Sequence, residues 1–232
     1  MLPALICLTY SYFCETKKME HYSKDDLKLL PTRFRANLVN SCTGYKSSNL
    51  LATCSKEGNT NLAIFSSVVH IGSNPPLLGF ILRPLTVRRD TYQNFRENGF
   101  FTVNQINKMM LGDAHHTSAK YKDGISEFSK TDLTAEYLDD FQAPYVTESS
   151  IKIGCRYQNE YEIFENGCLL IIGAIEHIYL PDEIVHEDGW VQLDAVNTIS
   201  TVGLDGYALP KLIERLSYAR PNEKSTSLFN GT

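Results

Sequence analysis

The chain has 232 residues, 22 Lys and Arg against 27 Asp and Glu, and 43% apolar residues. These values are typical of a soluble globular protein of one or at most two domains, and they exclude a disordered or collagen-like chain. The charge is uneven, because residues 1–125 carry a net charge of +6 and residues 126–232 a net charge of −11. A basic half with a local cluster favours a small anionic ligand over nucleic acid, which would need an excess of cations over its whole footprint.

Six cysteines, at positions 7, 14, 42, 54, 155 and 168, form no CxxC pair and no regular framework. This usage favours a reduced, cytoplasmic protein. The last four lie in apolar, strand-like contexts, where thiols usually act as small buried hydrophobic groups. We therefore expect packing roles for them.

The first 18 residues are predicted to be a tail outside the fold. Their apolar run is too short to span a bilayer and has no basic residues before it, unlike a secretory signal. Behind it, Ser23 and Asp26 have the spacing of a capping box, which predicts a short helix. We expect a single domain over residues 19–232, beginning near Met19.

Residues 34–105 predict strands and turns with one helix. The apolar runs 35–40, 49–55, 61–71, 77–83 and 100–104 have strand composition. Thr91–Asn98 has helical composition, with Asp90 as a plausible N-cap and Gly99 just past the end.

The second half predicts one further helix and a long hairpin. Leu133–Phe141 has apolar residues at helical spacing. Tyr157–Phe164 and Cys168–Leu180 flank Asn166-Gly167, the preferred pair for a two-residue type I′ turn. Strands joined by short turns, without a βαβ rhythm, indicate a mainly β, antiparallel, closed or partly closed barrel with inserted helices.

The residues that carry chemistry lie between Asn61 and Lys120. Small and hydroxyl side chains in the strand from Asn61 to Ser67 allow the backbone to approach a flat ligand. The loop Arg83–Thr91 has three arginines within seven positions at the entrance to a predicted helix. Guanidinium groups, a threonine hydroxyl and the free N–H groups of a helix start together predict a phosphate site.

In order and spacing, these segments resemble the flavin reductase-like, FMN-binding split-barrel family, which includes flavoredoxins. The resemblance rests on Asn61 with the small residues after it, the Pro75-Pro76 pair, the loop Arg83–Thr91 and the strand that contains Phe101-Thr102-Val103-Asn104. It is close over about a quarter of the chain, from Leu51 to Asn104. It implies an FMN-binding split β-barrel of Greek-key type with a few inserted and flanking helices.

The resemblance also implies which residues bind the cofactor. In the family, the small-residue strand faces the ribityl chain and the isoalloxazine ring, and the Arg/Thr loop holds the phosphate. A later segment contributes a Ser-Gly step before a Lys-Phe pair, where this chain has Ser118-Ala119-Lys120-Tyr121. The implied FMN-binding residues are Asn61, Ala63, Phe65, Ser66, Ser67, Arg83, Arg88, Thr91, Ser118 and Lys120.

The expected function is that of a flavin reductase, in which NADH or NADPH passes a hydride to FMN and the electrons go on to an acceptor. The flavin supplies this chemistry, so no catalytic side chain is assigned. The resemblance implies a homodimer, with flavin and nicotinamide nucleotide as partners and neither nucleic acid nor a membrane. A flavin-binding electron carrier or flavin store without turnover is the alternative, and an interaction domain is a third.

Each candidate also has a purely structural interpretation. Three neighbouring arginines can form a solvated surface, and Ser66 and Ser67 can lie on the solvent side of an edge strand. His115 and His116 are adjacent and have no carboxylate at ligand spacing, so no metal site is predicted.

Overall fold

The computed structural model describes residues 19–229, in which a sheet of seven antiparallel strands is the main element. The predicted tail 1–18, with Cys7 and Cys14, lies outside the described residues. Four α-helices are described: α1 (Lys24–Leu29), α2 (Thr32–Cys42), α3 (Asp90–Asn98) and α4 (Leu111–His116). The strands of the described part are β1 (Lys46–Ser47), β2 (Asn49–Cys54), β3 (Thr60–Phe65), β4 (Val69–Ser73), β5 (Pro76–Leu82), β6 (Phe100–Gln105), β7 (Ala135–Glu136), β8 (Tyr145–Val146), β9 (Lys152–Ile163), β10 (Cys168–Tyr179), β11 (Ser200–Val202) and β12 (Gly206–Ala208).

The seven-stranded sheet has the order β3-β2-β6-β9-β10-β5-β4. Its two edge strands, β3 and β4, follow each other in the chain and are joined by only three residues, 66–68. The sheet must therefore curl until its edges approach each other. Ser67, in this short connection, is held against β5, because its hydroxyl accepts a hydrogen bond from the Ile81 N–H and donates one to the Ile81 carbonyl, both 3.1 Å long. The result is the predicted split barrel, with a seam between β3 and β4.

Strand β2 is buried along its whole length because it has a hydrophobic cluster on each face. Leu51 belongs to a cluster centred on Phe80, which packs edge-on against Phe65, Phe95 and Phe101. Leu50 and Ala52 belong to a second cluster, which is completed by residues of α4 and of the segment 106–146. Strand β2 thus contacts the barrel interior with one face and the helical cover with the other.

The long hairpin is confirmed, but its turn differs from the predicted one. β9 and β10 pair from Ile163 and Cys168 down to Lys152 and Tyr179, with two register shifts. Four residues, 164–167, connect them, and the N–H groups of Asn166 and Gly167 both bond to the Ile163 carbonyl. Only Gly167 takes a positive φ, of 69°. A two-residue type I′ turn needs positive φ at both central residues, so that prediction is wrong.

Helix α1 begins at the predicted capping box, and α3 ends at Gly99, which has a left-handed conformation. Two other predictions are wrong. Residues 35–40 lie in helix α2 rather than in a strand, and Cys42 at its end is exposed. Residues 133–141 form no helix. Leu133 packs in the cluster around α4 whereas Leu138 and Phe141 pack in a third cluster with Phe100, so their apolar spacing serves two separate surfaces.

Cys54 and Cys155 are buried as expected, and Cys168 is half-buried. Over residues 19–229, none of the helices is both long and apolar enough to cross a membrane.

Candidate functional site

Strand β3 directs one set of its peptide groups toward the seam rather than toward β2. Its Leu62 N–H donates a 2.8 Å hydrogen bond to the Glu127 carboxylate, so the Leu62 backbone points away from β2. Peptide groups alternate in direction along an antiparallel pair, so those of Ile64 also face the open edge. The next position of the same set is Ser66, just past the end of β3. This side of the strand is where a flat ligand could bond to the backbone.

The predicted residues Asn61, Ala63 and Phe65 lie on the other set of alternating positions. Their peptide groups face β2, and Phe65 packs edge-on against Phe80 at 5.3 Å between ring centroids. The seam peptides therefore belong to Leu62 and Ile64, which sequence reasoning missed. No sequence signal distinguishes them, because the direction of a peptide group depends on strand pairing.

Ser66 and Ser67 lie in the connection between the two edge strands, and both are half-buried. The Ser67 hydroxyl is already hydrogen-bonded to the backbone of Ile81 in β5. Arg83 lies two positions after Ile81, just past the end of β5, and is exposed. Ser67 and Arg83 thus lie near the same end of β5.

The loop from Arg83 leads into α3 and brings Asn61, Arg88 and Thr91 together. The Asn61 Nδ2 donates a 2.9 Å hydrogen bond to the Thr91 hydroxyl, in the first turn of α3. The N-cap residue is Arg89 and not the predicted Asp90, which is the first residue of the helix, and the Arg89 side chain makes no capping hydrogen bond. The first N–H groups of the helix are thus left for another acceptor, and the helix dipole favours an anion there.

The cations of this loop differ in their surroundings. The Arg88 Nε donates to the Asp90 carboxylate at 2.8 Å, and this hydrogen bond raises the pKa of Arg88 above its ordinary value. The Nε of Arg89 is buried and has no hydrogen-bond partner among the described residues. A buried guanidinium donor without a partner is costly, so an additional acceptor is expected there.

A pocket of about 100 Å³ lies beside the start of α3. It is lined mainly by polar residues, namely Ser55, Glu57, Asn59, Thr60, Asn61, Arg88, Asp90, Asn94, Gly124 and Ile125. Asn94 is fixed in its wall by a 3.0 Å bond from its Nδ2 to the Thr53 hydroxyl. Asn61 and Arg88 therefore share one cavity, as the sequence predicts for a phosphate site.

Ser118 and Lys120 follow α4, and both are exposed. The Ser118 hydroxyl donates to the His115 carbonyl at 2.7 Å. Neither residue lines the pocket, so the structure does not bring them together with Asn61 and Arg88.

The segment that continues from Lys120 returns to β3. There the Ser126 and Thr60 hydroxyls lie 2.7 Å apart, and Glu127 bonds to Leu62. Burial raises the pKa of Glu127, with Asp90 contributing in the same direction. Glu127, like Leu62 and Ile64, is a residue that the sequence alone does not reveal. Elsewhere in residues 19–229, no three His, Cys, Asp or Glu side chains are grouped as a metal ion requires.

Comparison with known proteins places this geometry among flavin proteins. A crystal structure of a protein assigned as a flavin reductase with a split barrel domain, from Shewanella frigidimarina NCIMB 400, is 43% identical, with a TM-score of 0.84 over 87% of this chain and 100% of that chain. The nitrilotriacetate monooxygenase component B from Bacillus cereus has the same fold, with 22% identity and a TM-score of 0.73 over 85% of this chain and 99% of that one.

Among curated proteins, the uncharacterized protein YwrF of Bacillus subtilis strain 168 is 27% identical over 74% of this chain and 86% of its own length. The family model of the flavin reductase like domain matches residues 43–194, which include the seam, the arginine loop and most of the sheet. The chain therefore belongs to the flavin reductase-like family.

Proposed function

We propose that the protein binds FMN along the seam between β3 and β4 and acts as a flavin reductase that takes electrons from NADH or NADPH. The main support for this proposal is that Asn61, Arg88 and Thr91 lie together at the start of α3. They adjoin the edge of β3 whose peptide groups face the seam. Membership in the flavin reductase-like family supports the same ligand.

The residues around α3 fit a phosphate group. The buried Arg89 Nε has no partner among the described residues, the helix start has no side-chain cap, and Arg88, which is paired with Asp90, adds a cation to the pocket wall. A pocket of about 100 Å³ has room for a phosphate but not for a flavin ring. The ring would therefore lie outside this pocket, along the peptide groups of Ile64 and Ser66 and the Leu62 carbonyl.

Bound FMN would supply the hydride chemistry, so this chain needs no acid, base or nucleophile of its own. The task of the chain is to hold and orient the ligand. Arg88, Arg89 and the first turn of α3 would neutralise the phosphate, whereas the edge of β3 would fix the ring by its peptide groups. Glu127 would keep that edge in place through its bond to the Leu62 N–H.

The pyridine nucleotide would bind only transiently. The sequence has no GxGxxG segment that opens a helix after a strand, so a Rossmann-type crevice for the dinucleotide is not expected. The open side of the seam leaves one face of a bound ring free for nicotinamide. We further propose a cytoplasmic homodimer, in which Leu170 and Ile172, on the outer face of the apolar run 169–172 of β10, lie at or near the subunit interface; Leu169 and Ile171 pack in the barrel core.

The visible spectrum of the purified protein, followed by addition of NADH or NADPH in air, tests this function. The proposal predicts flavin absorption and oxidation of the pyridine nucleotide at a rate above that of free FMN at the same concentration. Flavin binding without accelerated oxidation would instead favour an electron carrier or flavin store. A protein that binds no flavin would contradict both.

A further inference from the structure

The last turn of α4 contains a histidine whose ring is held by a tyrosine of β12. The Nδ1 of His115 and the hydroxyl of Tyr207 lie 2.8 Å apart, and the two rings meet edge-on at 5.7 Å between their centroids. His115 is exposed, whereas Tyr207 is half-buried. The hydrogen bond thus fixes the orientation of an imidazole that is accessible from outside, and neither residue takes part in the phosphate site.

The same hydrogen bond determines which nitrogen of the imidazole carries a hydrogen. Burial raises the pKa of Tyr207, and Asp205 contributes in the same direction, so the phenol keeps its proton at neutral pH. Its hydroxyl has no other hydrogen-bond partner in residues 19–229 and therefore donates to Nδ1 of His115. In the neutral imidazole the hydrogen then lies on Nε2, the nitrogen that Tyr207 does not contact. His115 thus offers an N–H donor to a group outside the chain.

The three-stranded sheet β1-β11-β12 lies next to the short connection between β3 and β4. The Ser47 hydroxyl of β1 donates to the Val68 carbonyl in this connection at 3.1 Å. Thr201 of β11 is the partner of Tyr207 in β12, so their side chains share one face of the sheet. On that face the Thr201 and Ser48 hydroxyls lie 2.5 Å apart. These contacts place Tyr207 toward the end of β3 that leads into the connection.

The pair also lies on the side of β3 that is covered by helices. Tyr207 and Ile64 both pack against the hydrophobic cluster that contains Leu62 and Ala114. Ala114 directly precedes His115 in α4, and α4 packs against β3. His115 therefore flanks the part of β3 whose peptide groups face the seam.

In the proposed function, this part of β3 receives the flavin ring. The phosphate is assigned to the start of α3, beside Asn61, and Ile64 lies about 10 Å farther along the strand at a rise of about 3.3 Å per residue. An extended ribityl chain covers a comparable distance, so the ring would lie beside Ile64 and Ser66, on the flank of His115. The ring has carbonyl oxygens and unprotonated nitrogens that accept hydrogen bonds, and a few polar groups of this kind usually orient a flat ligand.

We propose that His115, oriented by Tyr207, donates a hydrogen bond from Nε2 to the isoalloxazine ring of the bound flavin. This inference rests on the proposed function, because it assumes that the ring lies along the end of β3. It adds a ring-binding side chain to a site in which the ring is otherwise held by peptide groups, and it makes Tyr207 a positioning residue.

The test measures the dissociation constants of FMN and riboflavin by quenching of flavin fluorescence. The variants are His115→Ala, Tyr207→Phe and the double variant with both substitutions. His116→Ala is the matched control, because His116 is the next residue, is also exposed and points about 100° away around the helix. Urea unfolding of each variant without ligand separates a loss of stability from a loss of binding.

We expect His115→Ala to weaken FMN and riboflavin by the same factor, about fivefold, which is the usual effect of one hydrogen bond. The factors should be equal because both ligands have the same ring. Tyr207→Phe should weaken both ligands by a smaller factor. The double variant should bind no more weakly than His115→Ala, since the tyrosine acts on the ring only through the histidine. His116→Ala should bind both ligands as the wild type does.

Unchanged riboflavin binding in His115→Ala would overturn the inference, and so would additive effects of the two substitutions in the double variant. A loss in His115→Ala that is confined to FMN would also overturn it, because His115 would then act on the phosphate. In all three cases the wild type still binds flavin, and the proposed function stands. A wild type that binds neither FMN nor riboflavin would refute the proposed function, and the inference with it.

Discussion

Asn61 and Thr91 are joined by a hydrogen bond of 2.9 Å, from the amide Nδ2 to the hydroxyl Oγ1, which links the edge strand β3 to the first turn of helix α3. The peptide groups that face the seam belong to β3, and the helix N-terminus that favours an anion belongs to α3. This single bond therefore fixes the two halves of the candidate site relative to each other.

Replacement of Thr91 by valine should loosen this link. Thr91 is buried, so the variant leaves the Asn61 amide without its partner. Because half-buried Asn61 lines the pocket, we expect the free energy of unfolding to fall by about 0.5–1.5 kcal/mol, the usual net contribution of one hydrogen bond. Urea titration of the ligand-free protein measures this. Thr134→Val, at an exposed threonine, is the control and should change stability little. Equal stability of Thr91→Val and the wild type would show that the bond does not hold β3 to α3.

Glu127 should make stability depend on pH in a defined direction. Burial raises its pKa in the folded protein above the ordinary value of 4.5, so the folded state binds the proton more readily than the unfolded state. The resulting stabilisation is complete below the ordinary value and is lost as the pH rises through the raised one.

Glu127→Gln removes this titration. The unfolding free energy of the wild type minus that of the variant should therefore be larger at about pH 5 than at about pH 7.5, as measured by urea unfolding. If this difference is the same at both pH values, Glu127 does not titrate with a raised pKa.

The protein should be a dimer in solution. Leu170 and Ile172, on the face of β10 opposite the buried Ile171, are only half-buried, and Ile213 in the C-terminal segment is 95% exposed, so apolar surface is left for a second copy to cover. Light scattering should give about twice the chain mass of 26.2 kDa. A monomer that binds FMN tightly would contradict a pocket near the subunit interface.

NADH and NADPH should be used with similar efficiency. A donor that lies transiently over the flavin makes few contacts with its adenosine end, where the two nucleotides differ. Steady-state kinetics with both donors should give a preference below about a hundredfold in kcat/KM, which corresponds to about 2.7 kcal/mol. A stronger preference would require a dedicated site for the 2′-phosphate.

The sequence predicts local features of this fold well where one short segment contains the whole signal. The capping box at Ser23 and Asp26 and the glycine after α3 are of this kind, and both are present. It fails where the signal depends on distant packing. Leu133 and Phe141 have helical spacing, but they pack in different clusters, and Asp139 and Asp140 between them take positive φ values.

The same distinction applies to the candidate site. Asn61, Arg88 and Thr91 are identified by residue type and order, and the structure brings them together at the start of α3. The seam peptide of Leu62 and its partner Glu127 are 65 positions apart and can be paired only once the sheet exists. Ser118 and Lys120 were carried over from the family pattern, and their place in a flavin site stays a prediction.

Titration of Arg88→Ala with FMN and with riboflavin tests most directly whether the flavin phosphate binds at the start of α3. Arg33→Ala is the matched control, because Arg33 is another exposed arginine, paired with Asp205 at 3.2 Å on a different part of the molecule. A charge-assisted bond to a phosphate contributes about 1.5–3 kcal/mol, and riboflavin has no phosphate. We predict that Arg88→Ala weakens FMN binding by that amount and leaves riboflavin binding nearly unchanged. Arg33→Ala should change the binding of neither. Equal weakening of FMN and riboflavin by Arg88→Ala would contradict this assignment of the phosphate.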